Sequence, residues 1–246
     1  MFLPAIHKFL KEKNYPVFLP KAVFFDMDGV LFDSMPFHAK AWVQALTDVK
    51  VPFSEYEAYM NEGRTGHSTI DDAFNRTYGR NASEEEKQEI YKLKSKYFEA
   101  ISITTKMPYA LELLNKIKNL GLQIFVVTGS GQPSLIDSLQ VHFPNIFQKN
   151  KMVTAFDVTQ GKPFPEPYLK ALAKSGVNPW EVIVVENAPL GVQSAKAAGL
   201  FTIAVNTGPL DKAVLINSGA DIVLESMQEL FTQWDKLYQT ANSVSD

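Results

Sequence analysis

In 246 residues, 24 Lys and Arg face 27 Asp and Glu for a formal charge of -3, and no basic stripe or arginine-rich segment supports nucleic-acid binding. The absence of cysteine excludes disulfide frameworks, thiolate catalysis and Cys-based zinc sites. No stretch approaches the ~18 apolar residues of a membrane span, so a soluble, cytoplasmic, monomeric protein with no membrane partner is expected.

In chain order, MFLPAIHKFLKEKN has its apolar run broken by His7, Lys8 and Lys11 before an export-type core can form, and predicts a short amphipathic helix within an extension over 1–17. KAVFFD then reads as a strand buried on both faces. From 34 to 105 the pattern is helical without a convincing strand: HAKAWVQALTDV, EYEAYMN, TIDDAFNRTYG and SEEEKQEIYKLKSKYFEAI. Ser83 with Glu86 makes a capping box at the start of the last of these, and the acidic run at 84–86 reads as a solvated first turn.

Strands and helices alternate thereafter. YALELLNKIKNLG, QPSLIDSLQVHF, EPYLKALAKSG and GVQSAKAAG are helical, several stopped by glycine. LQIFVVTGS, EVIVVENA and FTIAVNTG are strands, with ADIVLESM weaker. The expected fold is α/β: a Rossmann-like doubly wound parallel sheet over 18–33 and 106–246, with an all-helical cap inserted at 34–105.

Two carboxylates, Asp26 and Asp28, close the first apolar run in VFFDMDGVLFDS. They are either turn residues beside Gly29 or charges delivered to the carboxyl edge of the sheet, where open α/β folds bind ligands. Other strand ends bring Thr128, Gly129 and Ser130, and Glu186 with Asn187, while Lys162 precedes a helix in GKPFPEPYLKAL. Singly these read as a helix cap, a turn and a surface charge. Converging on one edge, they supply what phosphoryl transfer through an aspartyl-phosphate needs: a carboxylate nucleophile, a second carboxyl as proton shuttle, cationic groups and oxygen ligands for Mg²⁺.

DMDGVLFDS, VVTGS, GKPFPEPY and VVENAPLGVQSAKAAG, in that order, resemble the four motifs of the haloacid dehalogenase superfamily over about 21–230. The resemblance implies Asp26 as nucleophile, Asp28 as general acid/base, Thr128 and Lys162 as phosphoryl-binding groups, and Asp26, Asp28, Glu186 and Asn187 around Mg²⁺. Asp28 favours phosphate chemistry, since the dehalogenase branch lacks that second aspartate.

Within the superfamily, FDMDGVLFDSMPFHAKAW resembles the β-phosphoglucomutase-like group, which implies that His38 links the cap to the acid/base residue and that Lys96 meets the substrate, with Arg64 a candidate substitute, from a different backbone position, for that group's substrate-binding arginine. NEGRTGHST departs from the mutase cap loop, with Gly66 where the sugar-phosphate arginine would stand; Gln132 and Asn187 depart as well. Glu62 is a candidate to restore the charge that Asn187 does not carry, or else a solvent-facing loop residue. Together with Glu186 and Asn187 it resembles superfamily members that hydrolyse inorganic pyrophosphate. The expected activity is a Mg²⁺-dependent phosphohydrolase acting on a small phosphorylated substrate, pyrophosphate first, with a hexose-phosphate mutase or sugar phosphatase as the alternative and a noncatalytic phosphate-binding protein as a third class.

Overall fold

The computed structural model describes residues 1–131 and 133–244. Helix α1 (Phe2–Lys13) precedes strand β1 (Ala22–Phe25), and four helices follow in succession: α2 (Met35–Asp48), α3 (Glu55–Met60), α4 (Gly66–Tyr78) and α5 (Glu84–Ile101). The alternation then runs α6 (Ala110–Asn119), β2 (Gln123–Val127), α7 (Pro133–His142), β3 (Met152–Val153), α8 (Glu166–Ser175), β4 (Val182–Glu186) and α9 (Pro189–Ala197). It ends with β5 (Phe201–Val205), α10 (Lys212–Asn217), β6 (Ile222–Leu224) and α11 (Met227–Ser243).

All strands pair in parallel in the order β3-β2-β1-β4-β5-β6. In β1 every residue is buried, as a strand covered on both faces must be. Its neighbours β2 and β4 carry the other polar strand ends, and Phe25 is in register with both Val126 and Val185. This topology sets the carboxylates of the first motif between the second and fourth.

Sequence patterning locates β1, β2, β4, β5 and β6, but β3 has two residues and no period to detect. It also assigns no helix after Ser226, where α11 spans 17 residues. Leu230, Trp234, Leu237 and Ala241 are buried there at helical spacing, and Ser226 accepts from the Glu229 amide as a cap. In α1, Phe2, Ile6 and Phe9 enter the same core cluster as β1 and α11. Phe9 meets Phe18 and Phe201 edge to face at centroid separations of 5.7 and 5.4 Å, and burial of such a ring stabilises by about 1.5–3 kcal/mol.

The four inserted helices have their own hydrophobic cluster, including Leu46, Phe53, Ile70 and Phe74. Both capping boxes in this block form, at Ser54 with Glu57 and at Ser83 with Glu86. The chain leaves and re-enters the sheet along two adjacent segments. Asp33 N donates to Thr105 O at 3.0 Å and Met107 N to Leu31 O at 2.8 Å, around an antiparallel bridge between Phe32 and Lys106.

Candidate active site

The first motif is both a turn and a site. Gly29 adopts φ +78, and its N–H closes the loop onto Phe32 O at 2.7 Å, a conformation that glycine tolerates best. Glycine is also demanded by space: a Cβ there would lie 2.1 Å from Asn187 Nδ2. The loop leaves Asp26 and Asp28 only 4% and 8% exposed, so neither is a solvated turn carboxylate.

Lys162 is fully enclosed rather than a surface charge. Its ammonium donates to Asp26 Oδ1 at 2.5 Å, Glu186 Oε1 at 2.5 Å and Val127 O at 3.1 Å, which uses its three donors. Glu186 Oε1 also accepts from the Tyr168 hydroxyl at 2.7 Å, while Oε2 accepts from the Asn187 and Ala188 amides at 3.1 and 3.3 Å. All of its acceptor sites are thereby engaged, and in this arrangement Glu186 anchors Lys162. Burial pushes Asp26 up, Lys162 opposes, Glu186 and Asp28 add to the rise, and the result is about 8. Lys162 is raised: burial lowers it, but its two carboxylate partners outweigh that.

Asp28 belongs to a second network. Its Oδ1 accepts from Ser34 Oγ at 2.5 Å and lies 3.2 Å from His38 Nε2, while His38 Nδ1 lies 2.8 Å from Lys94 Nζ. A lysine ammonium only donates, so His38 accepts at Nδ1 and presents its Nε2 proton to Asp28. Burial pushes Asp28 up, but the electrostatic pull and hydrogen bond of His38, the Ser34 hydroxyl and Lys94 hold it below the usual range. Burial depresses His38, and it takes Lys94 down to about 8.

This network corrects the cap lysine. Lys96 is exposed, and Lys94 is the buried one that reaches His38. Two residues on a helix are separated by about 200°, so only one can face inward. His38 itself is buried and stacked on Phe98 with centroids 4.1 Å apart, not displayed on a helix surface.

Glu62 faces the core as well, 8% exposed, and its Oε1 accepts from Asn187 Nδ2 at 2.9 Å. Burial, with Asp26 next in weight, holds its carboxyl well above the usual range despite the Asn187 hydrogen bond. The loop bearing it lies directly on the core: a Cβ on Gly63 would come 2.7 Å from Lys162 Cδ, and one on Gly129 would come 2.3 Å from Gly63 O. Arg64 lines the same cavity; it donates to Ser68 Oγ at 3.3 Å, and its buried Nε has no partner. Thr128, Gly129 and Ser130 form the opposing wall, with Thr128 Oγ1 accepting from Ser130 N at 2.9 Å.

The cavity, which is partly open to solvent, measures about 60 Å³, far below the ~300–1,000 Å³ of ordinary ligand pockets. Tyr91 helps to make it small. A Cβ on Gly66 would lie 2.2 Å from the Tyr91 ring, so no side chain can extend from position 66 in this packing. Sequence reasoning missed Tyr91 and Lys94, which stand on a helix where aromatic and lysine residues carry no motif, and Tyr168, which closes GKPFPEPY without an assigned role. Gln132 lies outside the described residues.

Among the described residues no three His, Cys, Asp or Glu side chains already form a metal cage, which is understandable while Lys162 and Glu186 hold each other. The donor chemistry nevertheless suits a hard cation. Asn187 Oδ1 is buried with no hydrogen-bond partner, beside carboxylates of Asp26 and Glu62 that burial drives toward protonation. Oxygen donors short of positive charge are what Mg²⁺ takes.

The family model for haloacid dehalogenase-like hydrolases matches residues 20–199. A β-phosphoglucomutase of Bacillus subtilis (strain 168) is 28% identical over 228 residues, covering 87% of this chain and 96% of the relative. Hexitol phosphatase A of Escherichia coli (strain K12) is 30% identical over 212 residues, covering 85% and 93%. A solved structure from Bacteroides vulgatus, provisionally described as a β-phosphoglucomutase, is 51% identical, superposes with a TM-score of 0.95 and covers 98% of each chain.

Proposed function

Because the chain belongs to the haloacid dehalogenase-like hydrolases, we propose that it is a Mg²⁺-dependent phosphohydrolase working through an aspartyl-phosphate, with inorganic pyrophosphate as preferred substrate. The observation that carries the substrate is the meeting of Glu62 with Asn187 at the edge of a cavity of about 60 Å³ that Glu62 lines. A carboxylate aimed into a phosphate site repels the substrate unless a cation lies between them, and so small a space favours a compact anion.

In this reading an Asp26 carboxylate oxygen attacks phosphorus, the bond to the leaving oxygen breaks, and Asp28 gives that oxygen its proton. Water then attacks the phosphorus, Asp28 takes its proton, and the bond from phosphorus to Asp26 breaks. The proton that Asp28 takes from water is the one it gives to the next leaving oxygen, and between the two steps the His38 contact favours its ionised form, the state needed to accept a proton from water. Lys162 offsets charge on the transferring group, Thr128, Gly129 and Ser130 receive its oxygens, and Arg64 faces the substrate from the cap at 34–105. Mg²⁺, held by Asp26, Asp28, Asn187 Oδ1 and Glu62 with Glu186 behind them, would neutralise phosphoryl charge as the nucleophile approaches.

The relatives favour a second reading, a hexose-phosphate mutase or sugar phosphatase. Phosphate release with Mg²⁺ from pyrophosphate, hexose, pentose and nucleoside monophosphates tests the first; conversion of glucose 1-phosphate to glucose 6-phosphate tests the second. Faster turnover of a hexose phosphate than of pyrophosphate overturns the pyrophosphate assignment.

A further inference from the structure

Glu62 is placed by a contact that lies outside the four motifs. The loop at 206–210, after β5, is closed by Asn206 Nδ2 donating to Leu210 O at 3.1 Å, and it touches both sides of the Glu62–Asn187 meeting. On the core side, Thr207 Oγ1 donates to Gly29 O at 2.6 Å. Gly29 is the residue whose missing Cβ leaves room for the Asn187 amide and, 3.3 Å away, for Glu62 Oε1. On the cap side, a Cβ on Gly208 would stand 3.1 Å from both Cδ1 and Cε1 of Tyr59, so the ring lies against bare backbone. The φ of Gly208 is not left-handed, and glycine is there for space rather than for conformation.

Tyr59 occupies the last turn of α3, and Glu62 N donates to its carbonyl at 3.4 Å. The ring is 8% exposed, and Leu210, with Val214 at its edge, joins the hydrophobic cluster otherwise made only of cap residues. The hydroxyl is pushed up to about 12 by burial and by Glu62, Glu55 and Asp33, so the side chain stays neutral and acts as an aromatic surface. An aromatic ring buried against a glycine is a stiff contact, and it is one helical turn from the carboxylate it would steer.

We propose that Tyr59, seated on Gly208 and Leu210, is a positioning residue that docks the cap on the 206–210 loop and so holds Glu62 against Asn187. The same loop, through Thr207 and Gly29, ties that docking to the strand end that carries Asp26 and Asp28. This inference rests on the reading that Glu62 takes part in turnover.

The test is a double-mutant cycle on the full-length protein. Tyr59→Ala, Tyr59→Phe and Gly208→Val are each made alone and with Glu62→Ala, reading kcat and KM on pyrophosphate, Mg²⁺ affinity by calorimetry and the thermal midpoint. Tyr59→Ala and Gly208→Val are expected to lower kcat/KM by roughly 10²-fold, the order that a small misplacement costs, and to weaken Mg²⁺ binding. Tyr59→Phe restores both. In the Glu62→Ala background neither change should reduce kcat/KM by more than about twofold, because coupled residues do not add. Full additivity, or failure of Phe to substitute for Tyr, overturns the proposal. Should Tyr59→Ala fail to fold, Gly208→Val breaks the same contact from the core. A wild-type profile for Glu62→Ala alone instead sinks the role of Glu62 in the reaction, which separates the two failures.

Discussion

Asn187 faces Glu62 across the seam between core and cap, donating through Nδ2 at 2.9 Å while its own Oδ1 is buried without a partner. A neutral amide can satisfy a carboxylate and still present a free oxygen, whereas an acid at position 187 would add another charge to Asp26, Asp28, Glu62 and Glu186.

Removing the Glu62 carboxylate tests the consequence. Glu62→Ala should slow pyrophosphate hydrolysis and raise the Mg²⁺ requirement while relative turnover of hexose phosphates rises. Tyr91→Ala should shift the preference toward hexose phosphates by enlarging the cavity, with less effect on Mg²⁺. Mg²⁺ titrations on both substrates check this; superimposable curves for Glu62→Ala and the parent would remove the metal role.

Asp26→Asn should abolish turnover with little change in thermal midpoint, since size is kept and Lys162 retains Glu186. Asp28→Asn should lose about 10²–10⁴-fold, the usual contribution of positioned proton transfer. Acid-quench trapping of labelled phosphoprotein distinguishes them: none forms without the Asp26 nucleophile. Substantial steady-state turnover by Asp26→Asn would eliminate the covalent route.

Lys162→Met should cost stability as well as activity. It strands Asp26 and Glu186 in the interior, and breaking a buried ion pair costs about 3–5 kcal/mol. Asp26, whose carboxyl burial already pushes up to about 8, can escape the penalty by taking up a proton, so the deficit should shrink as pH falls. Urea unfolding at about pH 5 and 7.5 measures this; an equal deficit at both would mean that lost packing, not charge, dominates.

Lys94 predicts a stability change in the alkaline range. Burial brings it from its ordinary 10.5 to about 8 in the folded chain. Between those values the unfolded chain binds more protons, so stability rises with pH across the window and the full penalty applies below it. Lys94→Met should flatten this rise and raise stability below about pH 8, by about 1.4 kcal/mol for every tenfold by which burial weakens proton binding at this amine. Urea unfolding across that range measures it, and an unchanged slope would mean that the amine is not desolvated. The same variant deprives His38 of its Nδ1 donor and should slow turnover, read from kcat over the same pH range.

The sequence was most legible where chemistry forced a departure from pattern. Asp26 and Asp28 interrupt an apolar run, and Thr128, Lys162 and Glu186 stand at ends of strongly patterned elements, so the structure brings together residues whose oddity is visible in the sequence. The cap is harder because a helix repeats every 3.6 residues and a shift of two reverses the face; motif spacing singles out Lys96 where Lys94 turns inward. Tyr91 and Tyr59 are invisible for another reason. Their importance lies in what they press against, Gly66 and Gly208, and no spacing rule couples a tyrosine to a distant glycine. Helix α11 goes unassigned although Leu230, Trp234 and Leu237 recur at helical spacing, because it lies beyond the last of the motifs.

The paired segments at the cap's root give the molecule a modular character. Asp33 and Thr105 are hydrogen-bonded neighbours at 3.0 Å although 71 residues of chain separate them, so the whole insert enters and leaves through one narrow stem. A short turn could bridge that stem without disturbing the order of the strands. The sheet can therefore keep its strand order whatever lies between these two positions, and chimaeras cut there would separate what the core supplies, Asp26, Asp28, Thr128 and Lys162, from what the insert brings to them, His38, Glu62 and Arg64.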